Sequence, residues 1–290
     1  MHINSEKDIT SKWQGSTEKP KVSICCLTYN HGHFIEKTLK GFLLQRTDFP
    51  FEILIHDDAS DDNTSDIIKQ YQEKYPRLIK PILQTENQFS RGKRMMNTEF
   101  NYSRALGQYI CVCDGDDFWV DPKKLQIQAD FLDANPGVVL STHDAYMIDV
   151  KGNKIKESHL PQHLHRDASG EELVKGEVWS LPLNWMFRKQ PPEAIPERNM
   201  VLNGDTFFLS YLGLRGSSHH HFDIEPSAYR RHSGGVWSTL QEKEKRETHM
   251  NTFFWMYRYY TRIGMQKYAE HYWKKFSGLV SAHKNFLNDN

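Results

Sequence analysis

Three carboxylates stand within four residues at Asp114, Asp116 and Asp117, directly after the apolar run 109–113. Carboxylates this close raise one another's pKa unless a cation or hydrogen-bond donors keep them ionised. The cluster therefore predicts a divalent cation such as Mg²⁺ or Mn²⁺, and an ion at such a place commonly serves a phosphate. The alternative is an Asp-rich turn in which Asp117 or Asp121 caps the next helix.

Two other apolar runs also end in polar residues, so the cluster is not isolated. The run 22–27 leads into Thr28-Tyr29-Asn30, and the run 51–55 leads into His56-Asp57-Asp58. Further strands are predicted over 79–83 and 138–143, and helical spacing predicts helices over 34–45, 66–75, 97–106 and 124–134. Alternating strands and helices predict a parallel α/β sheet, whose ligands bind beyond the carboxyl ends of the strands. The polar residues should converge on that edge.

The second half of the chain has a weaker pattern. Residues 158–196 show little periodicity and could form an acceptor pocket or simply a loop. Gly204-Asp205 precedes an apolar, helix-like run over 206–214, and residues 229–237 form a basic loop that contains glycine. His219-His220-His221 resembles a metal-binding tract, but no other ligands are close in sequence, so we expect a solvated loop. Charged and aromatic residues alternate at helical spacing over 242–286.

Composition excludes several classes of protein. Lys plus Arg and Asp plus Glu both number 37, so no basic surplus points to nucleic acid as a partner. No run approaches the ~18 apolar residues of a membrane-spanning helix. We expect a cytoplasmic protein. Its aromatic C-terminal helices could lie at the inner face of the membrane, or they could pack on the domain or form a homodimer. The four cysteines lie mostly in apolar runs and should be buried free thiols.

Four motifs in this order resemble those of the family-2 glycosyltransferases, which are inverting, sugar-nucleotide-dependent enzymes of the GT-A fold. They are Thr28-Tyr29-Asn30, the segment 57–64, Asp114-Gly115-Asp116-Asp117, and Gly204-Asp205 together with 229–235. The resemblance implies a mostly parallel central sheet flanked by helices, with helices at the C-terminus. It also implies transfer of a sugar from a nucleotide-sugar donor, first of all a UDP-sugar, to a hydroxyl of a glycan or lipid-linked glycan acceptor.

The domain limits follow from the same resemblance. We expect a polar tail over 1–20, a GT-A domain over 21–240 and a helical segment over 241–290. The domain would divide into a nucleotide-binding half, 21–135, and an acceptor half, 136–240.

The resemblance also implies roles for single residues on the donor side. Tyr29 would lie against the base and Asp58 would accept a hydrogen bond from it, while Thr28 and Asn30 would complete that end of the nucleotide site. Asp57 could simply cap its turn. Asp114 would bind the ribose or a metal-bound water.

The remaining roles concern the phosphates and the acceptor. Asp116 and His232 would bind Mn²⁺ or Mg²⁺, and Arg230 or Arg231 would contact the pyrophosphate. The resemblance also implies that Asp205 is the general base, and its segment, far from Asp116, meets the requirement that the base act from the side opposite the metal. Family members usually carry an acidic pair there, whereas here Gly204 precedes the aspartate, which could also be a helix N-cap.

Two alternatives from other classes stay open. A sugar nucleotidyltransferase would normally show a Gly-rich phosphate loop with Arg and Lys after the first strand, where this chain has Asn30-His31-Gly32-His33. A non-catalytic module that binds metal or nucleotide would hold Ca²⁺ structurally at residues 114–117. Its metal binding would be unaffected by nucleotide.

Overall fold

The structure is a computed structural model that describes residues 4–191, 193–235, 237 and 239–288, with side chains up to residue 283. Val236 of the predicted basic loop and residues 1–3 of the predicted tail lie outside the described residues. The strands are β1 (Val22–Thr28), β2 (Phe51–Asp57), β3 (Ile79–Leu83), β4 (Tyr109–Val112), β5 (Val138–Thr142), β6 (Ala145–Ile148), β7 (Lys154–Lys156), β8 (Met186–Arg188), β9 (Ser217–His220) and β10 (Ser227–Arg230).

Helices surround these strands. The α-helices are α1 (Glu6–Thr10), α2 (Ile35–Leu43), α3 (Thr64–Lys74), α4 (Lys124–Ala134), α5 (Gly170–Lys175), α6 (Gly204–Gly213), α7 (Glu242–Arg262) and α8 (Gln266–Asn288). Single 3₁₀ turns cover Gln162–Leu164, Pro182–Asn184 and Pro196–Met200, and Asn97–Tyr102 is a π-helix.

A seven-stranded sheet in the order β3-β2-β1-β4-β8-β5-β9 forms the centre of the molecule. Only β8 runs antiparallel to its neighbours β4 and β5. In the parallel part Thr28 pairs with Asp57, and the N–H of Gly115 donates to the carbonyl of Leu27 at 2.8 Å. The ends of β1, β2 and β4 therefore lie side by side. The predicted mostly parallel sheet, with polar residues at one edge, is confirmed.

Both faces of this sheet are buried. Along β1, Ile24 and Cys26 face one core while Cys25 faces the other, because side chains alternate along a strand. Helices α2, α3 and α4 cover the first face, and α5, α6 and α7 cover the second. Since water reaches neither face, the strands read as continuous apolar runs. All four cysteines are free and buried, as predicted.

Three local predictions are corrected. The predicted helix over 97–106 is a short π-helix. The aperiodic segment 158–196 contains α5 and β8, and α5 begins with a capping box in which the Ser169 hydroxyl and the Glu172 carboxylate cap each other's backbone. The predicted solvated histidine loop is wrong, because His219 and His220 belong to strand β9, where His220 is buried.

The two ends of the chain pack onto the domain. In the predicted polar tail, α1 buries Ile9 in the first core. At the other end α7 and α8 form a helical hairpin, and Tyr260 and Tyr272 both contact the Ser210 hydroxyl of α6. Across the described part of the chain, no helix combines the length and apolarity needed to span a bilayer. The predicted domain limits, dimer and membrane contact stay predictions.

Candidate nucleotide and metal site

The turn after β4 is held by backbone contacts. A Cβ at Gly115 would come within 2.5 Å of the Thr28 hydroxyl, so this position has room only for glycine. The Asp117 carboxylate is buried and accepts a hydrogen bond from the Arg230 N–H at 2.7 Å. Asp117 is therefore structural, although it caps no helix. The turn leaves the side chains of Asp114 and Asp116 for chemistry.

Asp116 lies between two imidazoles. His232 Nε2 is 2.8 Å and His31 Nε2 is 3.9 Å from Asp116 Oδ2, and one ligand atom from each of the three residues falls within 4.8 Å of the others. Burial pushes the pKa of Asp116 upward, but the hydrogen bond with His232 and the nearby His31 outweigh it, and the pKa is lowered. Burial also lowers the pKa of His31, which favours the neutral ring that a metal ion requires.

The donor set of this group fits a divalent cation. His31 Nδ1 and the Thr28 hydroxyl are buried without a hydrogen-bond partner, and both adjoin Gly115. Buried polar atoms without a partner in the protein are uncommon and often bind a water or an ion. Two imidazole nitrogens and one carboxylate oxygen suit Mn²⁺ better than Mg²⁺, which prefers oxygen ligands.

The two predicted arginines have different surroundings. Arg230 is buried, its Nε donates to the carbonyl of Asp116 at 2.9 Å, and its guanidinium lies 4.5 Å from the ring of Phe34. Another of its nitrogens donates to the carbonyl of Asp149 at 3.1 Å. Arg230 thus fixes the backbone of the acidic turn. Arg231 is exposed and is the better placed of the two to reach a ligand.

The residues at the end of β1 and after it also differ in exposure. Tyr29 is 45% exposed and open to a flat ligand such as a base, whereas Thr28 is only 3% exposed and lies under Gly115. Asn30 adopts a left-handed φ of 54°. Its side-chain oxygen accepts a hydrogen bond from the Asp61 N–H at 3.0 Å. Asn30 therefore joins the ends of β1 and β2 and so orients Tyr29.

Both aspartates after β2 accept hydrogen bonds from loops. Asp57 accepts from the hydroxyl and N–H of Ser60, so it caps its turn, the alternative that the sequence left open. Asp58 is 5% exposed and accepts from the N–H groups of Gln88 and Phe89 at 2.7 and 3.0 Å. The Asp58 carboxylate fixes the loop over 86–94 at the edge of the cleft. Its predicted hydrogen bond to a base would have to share these oxygens.

Asp205 lies in the first turn of α6, but it is not the cap. That role belongs to Asn203, whose side-chain oxygen accepts from the Thr206 N–H at 3.1 Å, so the N-cap alternative for Asp205 is wrong. Within the described residues the Asp205 carboxylate has no hydrogen-bond partner, and its side chain keeps solvent contact. Desolvation by the surrounding protein nevertheless raises the pKa of Asp205 to about 6, although the positive charge of Arg198 favours the ionised form.

Asp205 lies near Asp114, because its charge contributes to the raised pKa of that carboxyl. Desolvation by the surrounding protein, and after it the negative charges of Asp116 and Asp205, raise the pKa of Asp114 to about 8. A methyl group at Gly204 would lie 3.6 Å from the sulfur of Met95, so the start of α6 adjoins the segment that leads into the π-helix. The candidate metal group of Asp116, His31 and His232, the Asp114 carboxylate and Asp205 are thus brought to one region of the molecule.

Two residues of the site were missed from the sequence. His31 directly follows the predicted Asn30, and its place beyond a strand end was an available signal. Arg198 sits in the turn before α6, with its guanidinium 4.8 Å from the Phe208 ring and its Nε buried without a partner. Nothing in the local sequence distinguishes Arg198 from a surface arginine.

Known proteins share this sequence pattern. A family model described as glycosyl transferase family 2 matches residues 23–190. An uncharacterised protein of Mycobacterium tuberculosis is 34% identical over 224 residues, which is 74% of this chain and 60% of that protein. The putative teichuronic acid biosynthesis glycosyltransferase TuaG of Bacillus subtilis is 35% identical over 164 residues, 54% of this chain and 60% of TuaG. The matches with these two relatives thus span about 60% of their length.

Solved structures share the fold. S. aureus TarS in complex with UDP-GlcNAc has a TM-score of 0.58 at 18% identity, over 81% of this chain and 66% of the TarS chain. The mannosyltransferase PcManGT from Pyrobaculum calidifontis, in complex with GDP-Man and Mn²⁺, has a TM-score of 0.56 at 14% identity, over 94% and 78% of the two chains. The predicted GT-A fold is confirmed.

Proposed function

The chain belongs to glycosyl transferase family 2, and we propose that it is an inverting enzyme that transfers a sugar from a UDP-sugar to a hydroxyl of a glycan or lipid-linked glycan. One observation carries the proposal. The candidate metal group of Asp116, His232 and His31 adjoins Asp114, and the Asp205 carboxylate, which has no hydrogen-bond partner among the described residues, is near enough for its charge to raise the pKa of Asp114. A transfer reaction needs such a carboxylate near its metal group as a base, whereas a protein that only binds nucleotide does not.

The donor side of the cleft would bind the nucleotide. Tyr29 would pack against the base, with Asp58 and Asn30 orienting that edge, and Asp114 would bind the ribose. Mn²⁺, held by Asp116, His232 and His31, would supply the positive charge that a departing nucleoside diphosphate needs. Arg231 would add a charge-assisted hydrogen bond to the phosphates.

Asp205 would act on the acceptor. Its carboxylate takes the proton from the acceptor hydroxyl as the hydroxyl oxygen bonds to the anomeric carbon and the bond from that carbon to the phosphate oxygen breaks. Attack from the face opposite the leaving group inverts the anomeric centre, which requires the base and the phosphates on different sides of the sugar. A pKa of about 6 leaves Asp205 mostly ionised at neutral pH and still able to accept a proton.

Nucleotide release from a panel of UDP-, dTDP- and GDP-sugars, with Mn²⁺ or Mg²⁺, tests the proposal. We expect release from UDP-sugars, faster with Mn²⁺ than with Mg²⁺. His31→Ala should weaken Mn²⁺-dependent UDP binding by about tenfold or more in calorimetry. His33→Ala is the matched control, because His33 is exposed beside the site and does not belong to the candidate metal group of Asp116, His232 and His31. If no nucleotide binds, the proposal is wrong.

A further inference from the structure

A row of aromatic rings leads away from the acidic turn. It begins at Tyr229 in β10, whose neighbours fix it to the turn. Ala228 exchanges two backbone hydrogen bonds with Phe118, at 2.9 and 3.2 Å, and the Arg230 N–H donates to Asp117. Because side chains alternate along a strand, Tyr229 points to the face opposite Arg230.

The row ends at an exposed tryptophan. The ring of Tyr229 stacks on His159 with the centroids 4.8 Å apart and the planes 14° from parallel. The ring of Trp179 meets His159 edge-on, with the centroids 5.9 Å apart. Trp179 is 43% exposed, whereas Trp119 and Trp185 are buried in the core. An indole this open stabilises the core little, so its exposed face is available to a ligand.

A small polar recess lies beside Trp179. Its volume is about 20 Å³, room for one water molecule or one hydroxyl group. Ser180, Arg166 and His220 line it together with apolar residues. His220 is 2% exposed and its Nδ1 has no hydrogen-bond partner. A buried imidazole nitrogen without a partner, on the wall of a recess of this size, calls for a hydroxyl or a water.

The chemistry that matches an open indole beside a hydroxyl-sized recess is that of a sugar. The C–H face of a pyranose packs on an aromatic ring, while one of its hydroxyls reaches the polar groups beyond the ring edge. We propose that Trp179 and the recess form a subsite for a pyranose residue of the acceptor, separate from the place where the transferred sugar binds. The inference rests on the proposed function and narrows it, because the acceptor then carries a saccharide chain that reaches beyond the reacting sugar.

The test observes the indole N–H signals of the ¹⁵N-labelled protein by NMR during titration with cellobiose, chitobiose, lactose, maltose and mannobiose. Trp179→Phe identifies the Trp179 signal. At least one disaccharide should shift that signal, and Trp179→Ala should weaken its binding by about tenfold, as loss of a stacking surface predicts. Trp273→Ala is the control, because Trp273 is 47% exposed on α8.

UDP with Mg²⁺ is titrated into the same samples. Trp179→Ala should leave UDP binding unchanged, because Trp179 is separate from the nucleotide site. If UDP binds and none of the five sugars shifts the Trp179 signal, the subsite is wrong while the proposed function stands. Equal loss of sugar binding in Trp273→Ala also overturns the subsite. If a sugar shifts Trp179 and no nucleotide binds, Trp179 binds sugar, but the proposed transfer, and with it the role of this site for an acceptor, is wrong.

Discussion

The pH dependence of donor hydrolysis should report the ionisation of Asp205. In this reaction water takes the place of the acceptor, so no acceptor needs to be known. With a pKa of about 6, the base is about nine-tenths ionised at pH 7 and about one-tenth ionised at pH 5. Since only the carboxylate can accept a proton, kcat should fall about tenfold between those values. Asp205→Asn should lower kcat by about a hundredfold or more and remove this acid limb.

Arg198 should set the position of that limb. Its charge opposes the rise in the pKa of Asp205, so its removal should raise the pKa further. In Arg198→Met the acid limb should therefore move to higher pH, and at pH 6 kcat should fall more than at pH 8. Arg198→Lys keeps the charge and should stay close to the wild-type profile.

The assay measures UDP release at saturating donor and Mn²⁺ from pH 5 to 8, with UDP binding followed by calorimetry at each pH. The binding control separates the ionisation of Asp205 from any loss of metal affinity at low pH, because metal ligands must be deprotonated to bind. An acid limb that persists in Asp205→Asn would refute the assignment of the base. A limb that moves identically in Arg198→Met and Arg198→Lys would refute the electrostatic role of Arg198.

Two further predictions concern stability. Arg230→Met should lower the free energy of unfolding by about 2–3 kcal/mol in urea titrations, because the carbonyls of Asp116 and Asp149 lose their donor. Arg231→Met should weaken UDP binding and change stability by less than about 0.5 kcal/mol. The opposite pattern would contradict the division between the two arginines. Burial lowers the pKa values of His143, His220 (to about 4) and His221. Because these rings are protonated more readily in the unfolded chain, the free energy of unfolding is highest above pH 6.5 and falls as the pH drops toward 4. The Tm should drop as the pH falls over that range, and it should drop less steeply in His220→Gln. If the Tm of His220→Gln falls as steeply as that of the wild type, the buried histidines do not cause the loss of stability.

The parallel part of the fold could be predicted because its strands are buried on both faces. Such strands read as unbroken apolar runs, and turn residues mark their ends. Strand β8 is three residues long and follows a 3₁₀ turn, so no periodicity could identify it. Strand β9 escaped for another reason, since its sequence is Ser217-Ser218-His219-His220 and only tertiary packing makes His220 a core residue.

Most residues of the candidate site could be named from the sequence, but the role of each could not. The strand ends placed Asp116 at the polar edge, because the ends of parallel strands must meet, whereas His232 and Asp205 were implied only by the family resemblance. The sequence could not tell Arg230 from Arg231, since Arg230 ends β10 and Arg231 follows it, and no local pattern shows which of the two is buried. His31 and Arg198 depend on contacts across the chain, which no local pattern contains.

The acidic turn and the base are held by different parts of the molecule, and this separation has a consequence for catalysis. Asp116 is fixed through Arg230 and the first core, whereas Asp205 is fixed through Asn203, whose N–H donates to the Thr252 hydroxyl of α7 at 3.0 Å. The distance between metal group and base therefore depends on how α7 packs against α6. A change at Thr252 should alter kcat without touching either ligand, because catalysis requires both groups at fixed distances from one sugar.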